Sequence, residues 1–195
     1  MAVKALSGGD KLEAKLRELA AGLARGATLR VGFLEGATFP DGTSVPMVAA
    51  IHEFGAPAAS IPPRPFFRTM IAQHRDEWGD QLGKALVHEE YDAEKALGQM
   101  GELMAAELHE SIAGLTSPAL SPITLMLRKM LGEDQGLVVT GATVGEAARR
   151  VAAGESVAGI STKPLVAPRG GVLLAACAYD VDMGTKIYPF RGKGA

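Results

Sequence analysis

The residues of this chain that could do chemistry do not assemble into a catalytic or ligand-holding pattern. His52-Glu53 begins like the helical signature of zinc proteases, but Ala56 stands where the second histidine is needed. His74, His88 and His109 have no metal-ligand spacing. Gly32-x-x-x-Gly36 lacks the Lys-Ser or Lys-Thr that would follow in a phosphate-binding loop. Ser7-Gly8-Gly9 and Ser161-Thr162-Lys163 do not form the setting of an activated nucleophile. The carboxylate pairs Asp76-Glu77 and Glu89-Glu90 fall on faces expected to be solvated. Cys177 is the single cysteine, so an internal disulfide and a multi-cysteine metal site are excluded; within an apolar run it reads as a small core residue. The sequence therefore predicts no catalytic residue, no cofactor-binding residue, no metal ligand and no enzyme.

The informative stretch is 49–71, AAIHEFGAPAASIPPRPFFRTMI. A short helix runs into a glycine stop at Gly55. A stiff segment follows, Ile61-Pro62-Pro63-Arg64-Pro65, in which each proline fixes its own φ and pushes its predecessor towards extended geometry. Such a segment is ordered before it meets anything, so docking it costs little conformational entropy. Pro65 suits the first turn of the helix opened by Phe66-Phe67-Arg68. Phe66 and Phe67 point to adjacent helical faces: one can enter the core while the other faces a neighbour, or both can be core. Arg68 can hold a carboxylate by a bidentate contact. Glu53 is a candidate partner for Arg64 or Arg68, within one chain or between chains.

Upstream stand Val31-Gly32-Phe33-Leu34-Glu35 and Phe39-Pro40-Asp41-Gly42-Thr43, followed by Val48-Ala49-Ala50-Ile51-His52-Glu53-Phe54-Gly55 and the 61–68 run. This order resembles the tail-completion and neck proteins of tailed bacteriophages, the virion morphogenesis or minor tail proteins. The resemblance is closest over residues 29–71, with fainter echoes at Leu120-Ser121-Pro122-Ile123-Thr124 and Lys163-Pro164-Leu165-Val166. Family members follow the latter with an Asp-Thr-Gly-like turn, where this chain has Ala167-Pro168-Arg169-Gly170-Gly171. The resemblance implies a structural subunit at the head–tail junction of a virion, forming a ring, typically of six copies. The ring would complete the tail or join it to the head-closure or connector protein, with a tail terminator or tail tube protein as further partner and passive contact with DNA in the lumen. Such a ring needs head-to-tail contacts. Phe39, Asp41, Glu53, Pro62, Pro63, Arg64, Pro65, Phe67 and Arg68 are expected near them. A tail terminator or other minor tail component is the alternative within that class. A prophage-encoded DNA-binding or regulatory protein is the alternative outside it, resting on a late basic set, Arg149, Arg150, Arg169, Arg191 and Lys193, with no aromatic stacking platform beside it.

These residues must be positioned by a chain of 195 residues, expected to form one domain, with 116–161 as an insertion or excursion that reaches a neighbouring subunit or lies as a solvated flap. A net charge of −2 argues against a large nucleic-acid footprint. The start has no apolar leader and no run nears membrane-spanning length, so the expectation is synthesis in a host cytoplasm, no membrane, and residence in the virion. Helical periodicity predicts a helix over 11–25, capped by Asp10 and ended by Gly26, with Leu12, Leu16, Leu19 and Leu23 on one stripe. A strand is expected over 28–35, a turn-rich loop over 36–44 that could form a hairpin arm, and helices over 45–54, 66–87 and 93–114, the last two pairing antiparallel across 88–92. Met100 and Met104 read as core filling. Short helices are expected over 122–131 and 144–153, strands over 172–181 and 185–190, and a mobile basic tail over 191–195. The fold class is α+β: a small, mainly antiparallel sheet with two long helices packed on one face, plus the helical excursion before the final strands.

Overall fold

The computed structural model describes residues 9–24, 27–134, 136–166, 172–182 and 186–189. It is an α+β fold with a three-stranded antiparallel sheet. Strand β1 (Thr28–Phe33) pairs with β2 (Cys177–Asp182), which pairs in turn with β3 (Lys186–Pro189). Val31 faces Tyr179, and Leu29 faces Val181, so the alternating apolar residues of β1 meet a β2 that is buried along most of its length.

Helices α2 (Val45–Phe54), α3 (Phe66–His88) and α4 (Ala93–Gly114) build the body. Two bridges between α3 and α4, and a third from the residue that ends α3, show their antiparallel run: Ser111 Oγ donates to the Phe66 carbonyl at 2.7 Å, Trp78 Nε1 to Glu107 Oε2 at 2.9 Å, and Gln99 Nε2 to Glu89 Oε1. Helix α4 lies directly on β1 and β2, and α3 packs chiefly on α4. The two long helices are thus layered rather than side by side on the sheet. α3 reaches the sheet through Phe66, whose ring meets Phe33 edge-on with centroids 6.0 Å apart. Gly101 permits the close approach of α4, since a Cβ there would fall 2.2 Å from the Tyr179 ring. The main core joins Val45, Ala49, Phe66, Met70, Leu108, Ile112, Leu173 and Cys177.

Four helices carry their own caps. Ser44 accepts from Met47 N before α2, and Asp92 from Lys95 N before α4. Ser121 accepts from Thr124 N before α5 (Pro122–Glu133), and Thr140 exchanges bonds with Thr143 before α6 (Gly141–Ala152). α5 and α6 pair around a small core of their own, Met126, Met130 and Ala147.

Several expectations are corrected. Helix α1 (Gly9–Ala24) begins before Asp10, which sits in its first turn and is not its cap; Gly26 and Leu23's side chain lie outside the described residues. Leu12 and Leu16 of the stripe are 63% and 56% exposed, and Leu19 is half-buried. Strand β1 stops at Phe33, because the backbone then turns at Glu35-Gly36 and Ala37 N donates to the Leu34 carbonyl at 3.1 Å. The expected strand over 172–181 divides into a short helix α7 (Val172–Ala175) and β2. Leucine and alanine favour helix there, and the turn drops Leu173 and Ala176 into the core. α6 starts at Gly141, where the Thr140 cap overrides the apolar onset at Val144. The tail over 191–195 lies outside the described residues.

Candidate functional site

Among the α-helices whose N-cap is described, α3 is the one without a side-chain cap of its own. Pro65 occupies its N-cap and has no side chain to offer the first free N–H groups. Glu53, at the end of α2, does so from a distance. Its Oε2 accepts from Phe67 N at 2.9 Å and its Oε1 from Arg68 N at 3.2 Å. The helix dipole favours a carboxylate at this end. Arg68 completes the node: Nε donates to Glu53 Oε1 at 2.7 Å and Nη2 to the Glu53 carbonyl at 2.9 Å. Its guanidinium also lies 5.4 Å from the centre of the Phe54 ring. Glu53 is buried, while the Arg68 side chain remains largely exposed.

The connection between the helices is tied down at every step. Gly55 has φ of +77°, and a Cβ there would come within 2.9 Å of the Ile61 carbonyl oxygen and Pro63 N. Ala56 and Ile61 exchange backbone hydrogen bonds at 2.9 and 3.1 Å around a single 3-10 turn, Pro57–Ala59. Arg64 N donates to the His52 carbonyl at 2.6 Å. Pro62 and Pro63 remain exposed. Between α2 and α3 lies an open, apolar cleft of about 250 Å³, lined by Phe33, Pro46, Ala49, Phe54, Phe66 and Phe67 among others.

The loop before α2 is also locked. Phe39 N donates to the Thr43 carbonyl at 2.8 Å, Gly42 N to the Phe39 carbonyl at 2.9 Å, and Thr43 N to Asp41 Oδ1 at 2.9 Å. Those bonds from Thr43 hold the exposed Asp41 carboxyl below its ordinary pKa. The loop closes on itself as a tight antiparallel turn through the Thr38–Ser44 bridge. Phe39 and Phe67 are both half-buried against the same core cluster, which brings the loop and the 61–68 segment to one body. Pro65 is half-buried as well. Phe66 is the core phenylalanine, at 1% exposure; Phe67 sits at the cleft.

Among the described residues four charged side chains are buried: Glu53, Arg64, Glu107 and Arg128. Glu107 receives Trp78 and the His74 imidazole, Nδ1 at 3.4 Å. Arg128 donates to three carbonyls, those of Ser161 at 2.9 Å, Lys163 at 2.8 Å and Pro164 at 3.0 Å, which ties α5 to the segment leading back to the sheet. Arg64 differs. Its Nε is shut off from solvent with no hydrogen-bond partner, and so is His52 Nδ1. Burial lowers the pKa of the Arg64 guanidinium, and burial followed by the charge of Arg64 lowers those of Arg128 and His52. Sequence reasoning selected Arg64 and named His52 only as half of a failed metal motif; Arg128 and Glu107 carried no signal, because an arginine or glutamate in a helical segment reads as a solvated face.

Burial pushes the Cys177 thiol up to about 12, which makes it an unreactive core residue. Among the described residues no group of three His, Cys, Asp or Glu side chains could hold a metal ion, and no helix is long and apolar enough to cross a membrane. Two members of the late basic set are engaged: Arg149 with Glu146 at 2.8 Å, and Arg150 with Glu146 and Glu133, each at 3.2 Å. Arg169, Arg191 and Lys193 lie outside the described residues.

Compared with known proteins, the chain matches no family model, no curated protein and no solved structure.

Proposed function

We propose that this chain is a structural subunit of a tailed-phage virion, forming a ring at the head–tail junction that completes the tail or joins it to the head-closure protein. The motif order over 29–71 supports the class. The observation that carries the reading is the Glu53 node. A buried carboxylate caps α3 and fixes Arg68, the Arg64 amide on the His52 carbonyl ties down the proline segment, Pro62 and Pro63 are exposed, and the exposed ring of Phe54 borders an apolar cleft. A segment built this way presents a preformed contact surface with little entropy left to lose on docking. Phe39, Asp41 and the 62–68 residues then border the contact, and Glu53 acts from beneath it. A tail terminator or another minor tail component fits the same surface.

Purified particles provide the test. A ring subunit is found in them at a fixed low copy number, and cryo-electron microscopy locates it as a closed ring at the portal–tail junction with the 61–68 segment at a subunit boundary. Its absence from complete particles discards the reading.

A further inference from the structure

Arginine stays protonated in proteins, so a buried guanidinium without a partner carries an uncompensated cost. Arg64 is 7% exposed and its shielded Nε donates to nothing. Arg128, 9% exposed, is occupied with backbone carbonyls, which accept hydrogen bonds but carry no charge. Neither arginine forms an ion pair among the described residues. None of the residues outside the described set is an Asp or Glu, so no acidic side chain there can supply the missing charge.

The opposite charge accumulates at the far end of α3. From Asp80 to Lys95 the sequence carries five carboxylates, Asp80, Glu89, Glu90, Asp92 and Glu94, against Lys84 and Lys95; Glu89 is engaged by His88 and Gln99, and Asp92 by Lys95. α3 has 23 residues and so spans about 34 Å. Arg64 lies just before it begins and the acidic turn where it ends. The two surfaces cannot meet within one molecule.

We infer that Arg64 is the receptor for a carboxylate from the acidic α3–α4 end of a second copy of this chain, in a head-to-tail contact. Two different surfaces joined in this way produce a ring or an open filament, according to the rotation between copies. The inference rests on the reading of the chain as a self-assembling structural subunit and assigns the chemistry of its contact.

Sedimentation velocity of the full chain over a range of concentrations and salt tests it, using Arg64→Met and the far-end variant Asp80→Lys/Glu90→Lys. Asp80 and Glu90 are exposed, so the second variant leaves the core intact. The wild type is expected to self-associate, less so as salt rises, and each variant to weaken association about tenfold or more. An equimolar mixture of the two variants is expected to form dimers and stop there, because each mixed pair has one intact interface. A wild type that stays monomeric at its highest soluble concentration overturns the inference, as do variants that associate like the wild type. Inorganic phosphate that raises the melting temperature of the wild type but not of Arg64→Met, without association, replaces the second copy by a small anion. A chain that forms rings in particles but is indifferent to Arg64→Met keeps the ring reading and loses this contact.

Discussion

Glu53 and Arg64 belong to one short motif and are buried to nearly the same depth, 5% and 7% exposed, yet their surroundings are opposite. Glu53 receives two backbone N–H groups and the Arg68 guanidinium. The Arg64 side chain has a shielded donor with nothing to give it to. A buried charge that is satisfied organises the backbone around it; one that is not leaves the fold with a standing penalty and an affinity for an outside group. The first is a structural device; the second is the group on which the inferred contact between copies rests.

Mutations that exchange the roles should move stability in opposite directions. Glu53→Ala removes the cap of α3 and orphans the Phe67 and Arg68 amides, which should cost about 2–3 kcal/mol and lower Tm by about 5–10 °C in thermal unfolding followed by circular dichroism. An unchanged Tm would mean that α3 does not depend on the distant carboxylate. Arg64→Met keeps the stem volume and removes the unpaired charge, so the isolated chain should gain about 1–2 kcal/mol; a loss of that size in denaturant titration would show that Arg64 is already compensated. Arg68→Ala leaves both backbone bonds to Glu53 in place and removes a largely exposed guanidinium, and should cost about 1 kcal/mol or less. A larger loss than that of Glu53→Ala would reverse the hierarchy of the node.

The smallest expected effect is in pH. Burial, and then the charge on Arg64, hold the His52 imidazole below its ordinary value of 6.5. The unfolded chain therefore binds a proton near that pH which the folded chain refuses. This contribution is fully favourable above about pH 6.5 and is lost as pH falls towards the lower folded value. His52→Leu should flatten that part of the stability profile, and Arg64→Met should flatten it in part, since Arg64 is the second cause. A profile from pH 8 to 5 that is identical in all three chains would remove His52 from the Arg64 neighbourhood.

The elements were legible where local signals agreed. The glycine stop at Gly55 and the apolar period placed α2 and α4, and the structure puts Ser44 and Asp92 as caps at those same starts. Where they disagreed, the reading failed: α7 and β2 share one apolar run, and a buried strand and a buried helical turn look alike in sequence. The leucine stripe of α1 had the right period but Leu12 and Leu16 cover nothing among the described residues, because periodicity predicts an amphipathic face and not what it meets.

By itself the sequence determined the α+β class, the helix pair, the rigid proline segment and the short set of residues around it, because glycine, proline and capping side chains act over a few bonds. Only the tertiary structure decided which of the two arginines Glu53 would hold, which phenylalanine entered the core, and that Arg128 would be buried on the carbonyls of Ser161, Lys163 and Pro164. Those outcomes depend on which groups lose their water together, and that is settled by the packing of distant segments.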